Sequence, residues 1–204
     1  KMVTAFYYLS NNYKLDRFKT ELFIDGVIKD SVLHGDLYLK GYGDPTLKTD
    51  DLSVFIDSVK NLGVNEVLGS LFYDNSYLPD INYINRNQLP QYAYNPGMGA
   101  INLNENRILF EWKRLEKAKY KTSLTAPGLK NIAQVTNITI DLENNKGPVY
   151  NYELDEKKFE EKWSVNRRIL GKKGSRWLPV RESSYYATEA LKQLLVDRGI
   201  AITN

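Results

Sequence analysis

Cysteine is absent from the 204 residues, which removes disulfides, thiol catalysis and any cysteine-based metal site without fixing a compartment. Histidine occurs once, at His34, and no Gly-x-Ser-x-Gly elbow accompanies it, so a Ser-His-Asp triad has no sequence support. Ahead of Gly35-Asp36 in a strand-like run, His34 reads as a surface residue. No apolar run reaches the roughly eighteen residues needed for a membrane-spanning helix. Charge of one sign is also scarce: 28 basic against 25 acidic side chains leave +3, too little to point to nucleic acid as a partner. There is no initiator methionine or signal peptide, and the chain starts inside a helical pattern, so it reads as a piece of a longer protein.

What is present describes an ordinary globular chain, with 42% hydrophobic and 26% charged residues. Fifteen tyrosines and seven phenylalanines favour β-structure, because aromatic rings suit pleated surfaces. Residues 33–74 carry the clearest pattern. Leu33, Leu37 and Leu39 form a β-type run that ends at Gly41-Tyr42-Gly43-Asp44-Pro45. Asp50 or Asp51 can cap a helix with Leu52, Phe55, Ile56, Val59 and Leu62 at helical spacing and Gly63 as its left-handed end. Val67, Leu68, Leu71 and Phe72 then lead a second strand into Asp74. The order strand, helix, strand predicts a βαβ-type unit. Gly41-x-Gly43 lacks a third glycine and precedes an acidic residue that would repel phosphate, so it is a turn and not a nucleotide loop.

Elsewhere, Lys1 to Asn12 reads as the end of a helix apolar nearly all round, of the kind buried inside something larger. Asp25-Gly26, between Phe18–Ile24 and Val27-Ile28, predicts a hairpin turn. Residues 75–96 are polar and turn-rich, as a linker or functional loop would be. A series of β runs follows, with Val135 to Ile140 the cleanest alternation. Gly171-Lys172-Lys173-Gly174 reads as a hairpin between Trp163–Leu170 and Arg176–Val180, and mixed-sign Asp155–Lys162 as a solvated helix face. Ser183 or Ser184 can cap a last helix with Ala187, Ala190, Leu191, Leu194 and Leu195, ended by Gly199. The expected fold class is mixed α+β and α/β: a discontinuous βαβ-type domain, residues 19–83 and 176–204, with an inserted antiparallel β domain at 84–175.

Two local features invite a chemical reading. Asp74 is an acidic residue at the C-terminal end of a strand, where open sheets present ligand groups, although a plain strand-end turn former is the alternative. Arg167, Arg168, Lys172, Lys173 and Arg176 make the one basic cluster, which could contact an anionic polymer or simply be solvated.

His34-Gly35-Asp36-Leu37-Tyr38-Leu39-Lys40-Gly41-Tyr42-Gly43-Asp44-Pro45-Thr46-Leu47, followed by Gly63-Val64, Gly69 and Asp74-Asn75-Ser76, resembles the D-alanyl-D-alanine carboxypeptidase/endopeptidase family, the class C low-molecular-mass penicillin-binding proteins. Tyr94 to Asn106 resembles the family's Tyr-x-Pro-x-Ser-Ala-Leu-x-x-Asn-x-Asn stretch with one extra residue, and Gly99 stands where serine is usual. The resemblance implies that Lys1 is the lysine of a Ser-x-x-Lys motif whose serine lies three positions upstream. Residues 1–18 would then end the nucleophile-bearing helix of a transpeptidase-like domain outside this chain.

Acyl-enzyme chemistry of this type needs Ser-x-x-Lys, Ser-x-Asn and Lys-Thr/Ser-Gly. The chain has no Ser-x-x-Lys; Lys121-Thr122-Ser123 lacks the glycine; Ser10-Asn11-Asn12 and Ser164-Val165-Asn166 read as chance matches. The resemblance therefore implies the accessory-domain part of a serine carboxypeptidase/endopeptidase acting on peptidoglycan stem peptides, inactive alone. Asp74 would meet the free amine on the third residue of the stem. An extracytoplasmic, periplasmic location is implied; no metal or organic cofactor is. The alternative is a non-catalytic module binding peptidoglycan or a protein.

Overall fold

A computed structural model describes residues 2–11, 17–115, 119–144 and 147–203. Lys1 and Asn12 lie outside the described residues. After helix α1 (Met2–Asn11), strands β1 (Thr20–Lys29) and β2 (Val32–Gly41) form an antiparallel hairpin. The hairpin does not turn at Asp25-Gly26, as expected from sequence, but at Asp30-Ser31, both with positive φ. The reason is a close approach: Gly26 pairs directly with Gly35, and a Cβ on either would strike the facing backbone, so Asp25-Gly26 lies within the strand.

Helix α2 (Leu52–Asn61) crosses back to β3 (Glu66–Val67) and β4 (Leu71–Asp74), which both pair parallel to β2. The expected βαβ unit is present, and Gly63 ends the helix with φ +77°. Between β3 and β4 the strand is interrupted, and the Asp36 carboxylate accepts the Ser70 N–H there at 2.7 Å. Leu33, Leu37 and Leu39 of β2 are fully buried against Leu52, Ile56 and Val59 of α2. The last strand, β12 (Ala201–Ile202), pairs parallel with β3 and completes a five-stranded sheet.

Two further sheets follow residue 100. The first orders β11 (Lys173–Pro179), β5 (Arg107–Arg114), β6 (Tyr120–Pro127) and β7 (Ile132–Gln134), all antiparallel. The second orders β8 (Ile138–Glu143), β10 (Glu160–Asn166) and β9 (Tyr150–Asp155), with β10 antiparallel to β9 but parallel to β8. The fold is thus mixed α and β with antiparallel sheet present, as expected.

Residues 171–174 do not form the expected hairpin, because β10 and β11 pair in different sheets. Asp155–Lys162 is solvated as expected at every position but the fully buried Glu161, yet it is not a helix: it is the end of β9, the β9–β10 turn and the start of β10. Helix α3 (Ser183–Asp197) then buries Tyr186, Ala187, Ala190, Leu191 and Leu195 in one cluster with residues of α2 and all three sheets.

The Asn-rich turn explains how the sheets are joined. Asn104, Glu105 and Asn106 all have positive φ, which asparagine tolerates better than most residues. Asn104 accepts the Thr49 N–H at 3.2 Å and donates to Thr49 Oγ1 at 2.8 Å and to the Pro127 carbonyl at 3.3 Å. Asp50 makes a second tie. Its carboxylate accepts N–H groups of Leu129 (2.6 Å), Lys130 (3.0 Å) and Asn131 (2.8 Å), so it joins α2 to the β6–β7 turn instead of capping the helix. Burial works against that carboxylate's charge, but the N–H donors outweigh it and hold its pKa below the usual value.

Candidate functional site

Parallel pairing of β2 with β4 sets Lys40 opposite Asp74 at the C-terminal ends of both strands. Their side chains meet: Lys40 Nζ donates to Asp74 Oδ2 at 2.6 Å, and Asp74 Oδ1 accepts the Ser76 N–H at 2.9 Å. The Lys40 bond, then those from Ser76, hold the Asp74 pKa down at about 2. The carboxylate is ionised and already engaged with an ammonium group. Both side chains stay partly exposed, at 27% for Lys40 and 32% for Asp74, so solvent and an incoming group can reach them.

Tyrosines surround this pair. The Lys40 ammonium lies 5.7 Å from the Tyr42 ring centroid, and that of Lys19 lies 5.0 Å from it. Tyr42 Oη donates to Glu21 at 2.7 Å, and its ring packs at a tilt on Tyr77. The site is therefore a sheet end carrying two cations, two carboxylates and two phenol rings. Of these, sequence reading singled out Asp74 alone. Lys40, Tyr42 and Glu21 were missed because the pairing that gathers them depends on strand register. The only available signal was the regular alternation of β2, which puts Lys40 just before the Gly41 turn. Lys1 lies outside the described residues, so nothing places it relative to Asp74.

Beside the site, Gly43, Pro45, Leu78, Ile81, Tyr94 and Met98 help line a mostly apolar cavity of about 690 Å³. Its wall is the turn-rich segment after Asp74, which Arg181 holds in place. That guanidinium is fully buried, donates to the carbonyls of Pro90 (2.7 Å) and Asn95, and lies 4.1 Å from the Tyr83 ring centroid. Gly99 has no room for a side chain, since a Cβ there would meet the Asp80 carboxylate. Asp80 in turn accepts from Asn75 at 2.8 Å and Ser184 at 3.2 Å. Of the two Ser-x-Asn matches, Ser164 is buried inside β10, while Asn166 accepts the Arg168 N–H and caps a short 3₁₀ turn. That match is structural.

All of residues 1–204 match the model of the D-Ala-D-Ala carboxypeptidase 3 (S13) family. The fold is similar to that of penicillin binding protein 4 (dacB) from Haemophilus influenzae, with a TM-score of 0.65 and 18% identity over 98% of this chain and 45% of that one. It is also similar to the same protein complexed with a novel β-lactam, with a TM-score of 0.58 and 18% identity over 98% and 42% of the two chains. At that identity the likeness concerns the fold, and the chain spans less than half the length of these relatives. The match over its full length nevertheless settles its membership: the chain belongs to the D-Ala-D-Ala carboxypeptidase 3 (S13) family.

Proposed function

We propose that this chain is the accessory part of a serine D-alanyl-D-alanine carboxypeptidase/endopeptidase, working outside the cytoplasm on peptidoglycan stem peptides through an acyl-enzyme. On this reading residues 19–83 and 176–204 form a discontinuous α/β domain around the β-rich insert 84–175. Lys1 takes the proton of a serine three positions upstream. The chain alone is inactive, because that serine and the Ser-x-Asn and Lys-Thr/Ser-Gly motifs belong to the rest of the protein.

The observation that carries the reading is the ionised Asp74 at the end of a parallel strand, bonded to an ammonium. A carboxylate that holds Lys40 Nζ has the charge and geometry to hold the free amine of a stem residue. Helix α1 lends support: Met2 is 87% exposed, Val3 82% and Phe6 74%, an apolar face that a neighbouring domain would cover.

Acylation by a labelled penicillin tests the proposal on the longer protein that it implies. The label should fall on a serine three residues before Lys1, and the 204-residue chain should take none. A folded longer protein that does not label would favour the non-catalytic binding module. Asp74→Asn in the longer protein should raise KM for stem peptides with a free amine and spare the same peptides with that amine acetylated. Equal effects on both would remove Asp74 from substrate contact.

A further inference from the structure

The antiparallel sheet of β11, β5, β6 and β7 has one face turned to solvent. Alternation buries Ile108 and Phe110 and puts their neighbours Leu109, Glu111 and Lys113 on the opposite face. Register then aligns the outward side chains across three strands. Lys173, Lys113 and Lys121 form one row, and Ser175, Glu111 and Ser123 form the next. All six are exposed, and none of the three lysines is ion-paired with a described residue. A groove of about 450 Å³ is lined by these six residues and by Gly174, Trp112 and Thr122, which alternate with them along the three strands.

Like charges directly opposite on neighbouring strands destabilise a sheet, with Cβ atoms only about 5 Å apart. Three aligned ammoniums are an arrangement that an anion would relieve. The second row limits which anion. Glu111 stands about 7 Å along the strand from Lys113. It would repel an anionic surface that covers both rows, such as duplex DNA or an anionic bilayer, but not a chain whose charges lie along the lysine row alone. With Ser175 and Ser123 it offers instead the donors and acceptors that sugar hydroxyls need. We propose that this groove binds an anionic glycan, its carboxylate or phosphate groups on Lys173, Lys113 and Lys121 and its hydroxyls on Ser175, Glu111 and Ser123. The surface lies on a different sheet from Asp74, and the inference does not rest on the enzymatic reading.

The test is calorimetric titration of the 204-residue chain with polygalacturonate, phosphorylated dextran and unmodified dextran, with duplex DNA and phosphatidylglycerol vesicles in parallel. One or both charged glycans should bind at least about tenfold tighter than neutral dextran and weaken as salt rises. Which one binds tells carboxylate from phosphate recognition. The triple variant K113Q/K121Q/K173Q, at exposed positions and checked for an unchanged melting profile, should lose that tenfold advantage. R167Q/R168Q, in the neighbouring basic segment, should keep it. Glu111→Gln, which removes that repulsion, should strengthen DNA binding. The proposal is overturned if neither charged glycan outbinds dextran, if the triple variant binds like the unaltered chain, or if DNA or vesicles bind tighter than both charged glycans.

Discussion

Asp74 and Asn104 show two uses of a polar side chain. Asp74 keeps a chemical possibility because its partner is a lysine with one end in water. Removing that partner with Lys40→Met should let the Asp74 pKa climb from about 2 toward the usual carboxylate value near 3.8, read by carboxyl NMR titration. The same change frees Asp74 Oδ2, so under the proposed function it should lower KM for amine-bearing peptides; an unchanged KM would separate the two roles. Asn104 is structural instead. Asn104→Ala would abandon the Thr49 and Pro127 bonds at a positive-φ position and should cost ~2–4 kcal/mol in denaturant melts.

At the scale of elements, one buried carboxylate ties β10 to α3. Glu161 Oε1 accepts the N–H groups of Arg181 (2.8 Å) and Glu182 (3.0 Å), and Oε2 accepts from Tyr152 Oη at 3.0 Å. Burial dominates over these donors and pushes its pKa up to about 7. A carboxyl with a raised folded pKa binds more protons folded than unfolded between its usual value and about 7. Its contribution is therefore complete at low pH and is lost as pH rises through that window, by ~3 kcal/mol at most. Glu161→Gln should flatten this part of the stability–pH curve; an unaltered slope would assign it to other groups. The expectation of a solvated face at 155–162 holds at every residue but Glu161, which departs because mixed charge signals exposure only while no tertiary partner claims a carboxylate. Glu161 is claimed by the start of α3.

For the whole molecule, the exposed apolar side chains of α1 stand out. In the 204-residue chain alone, the amides of Met2–Asn11 should exchange within seconds, while those of β2 and α3 stay protected. Protection of α1 that grows with protein concentration would mean the face pairs with a second copy. Slow exchange in a monomer would mean that the helix packs within this chain. The three sheets, by contrast, share one buried cluster through α3, so Leu191→Ala should lower the stability of the whole unit cooperatively, by ~2–5 kcal/mol.

By itself the sequence determined what depends on neighbours along the chain: the β2–α2–β4 order, α2 and α3 with their glycine ends at Gly63 and Gly199, the β-rich middle, and Asp74 at a strand end. Helical spacing, left-handed glycines and alternation are local, and local energetics decide them. Only the tertiary structure decided what depends on register and crossing. The hairpin turns at Asp30 because Gly26 meets Gly35, and β11 leaves β10 for β5. Asp50 serves the β6–β7 turn, Lys40 reaches Asp74, and three lysines fall into one row. Each of these contacts depends on which strands pair and in what register, and their energies enter only once the strands have paired.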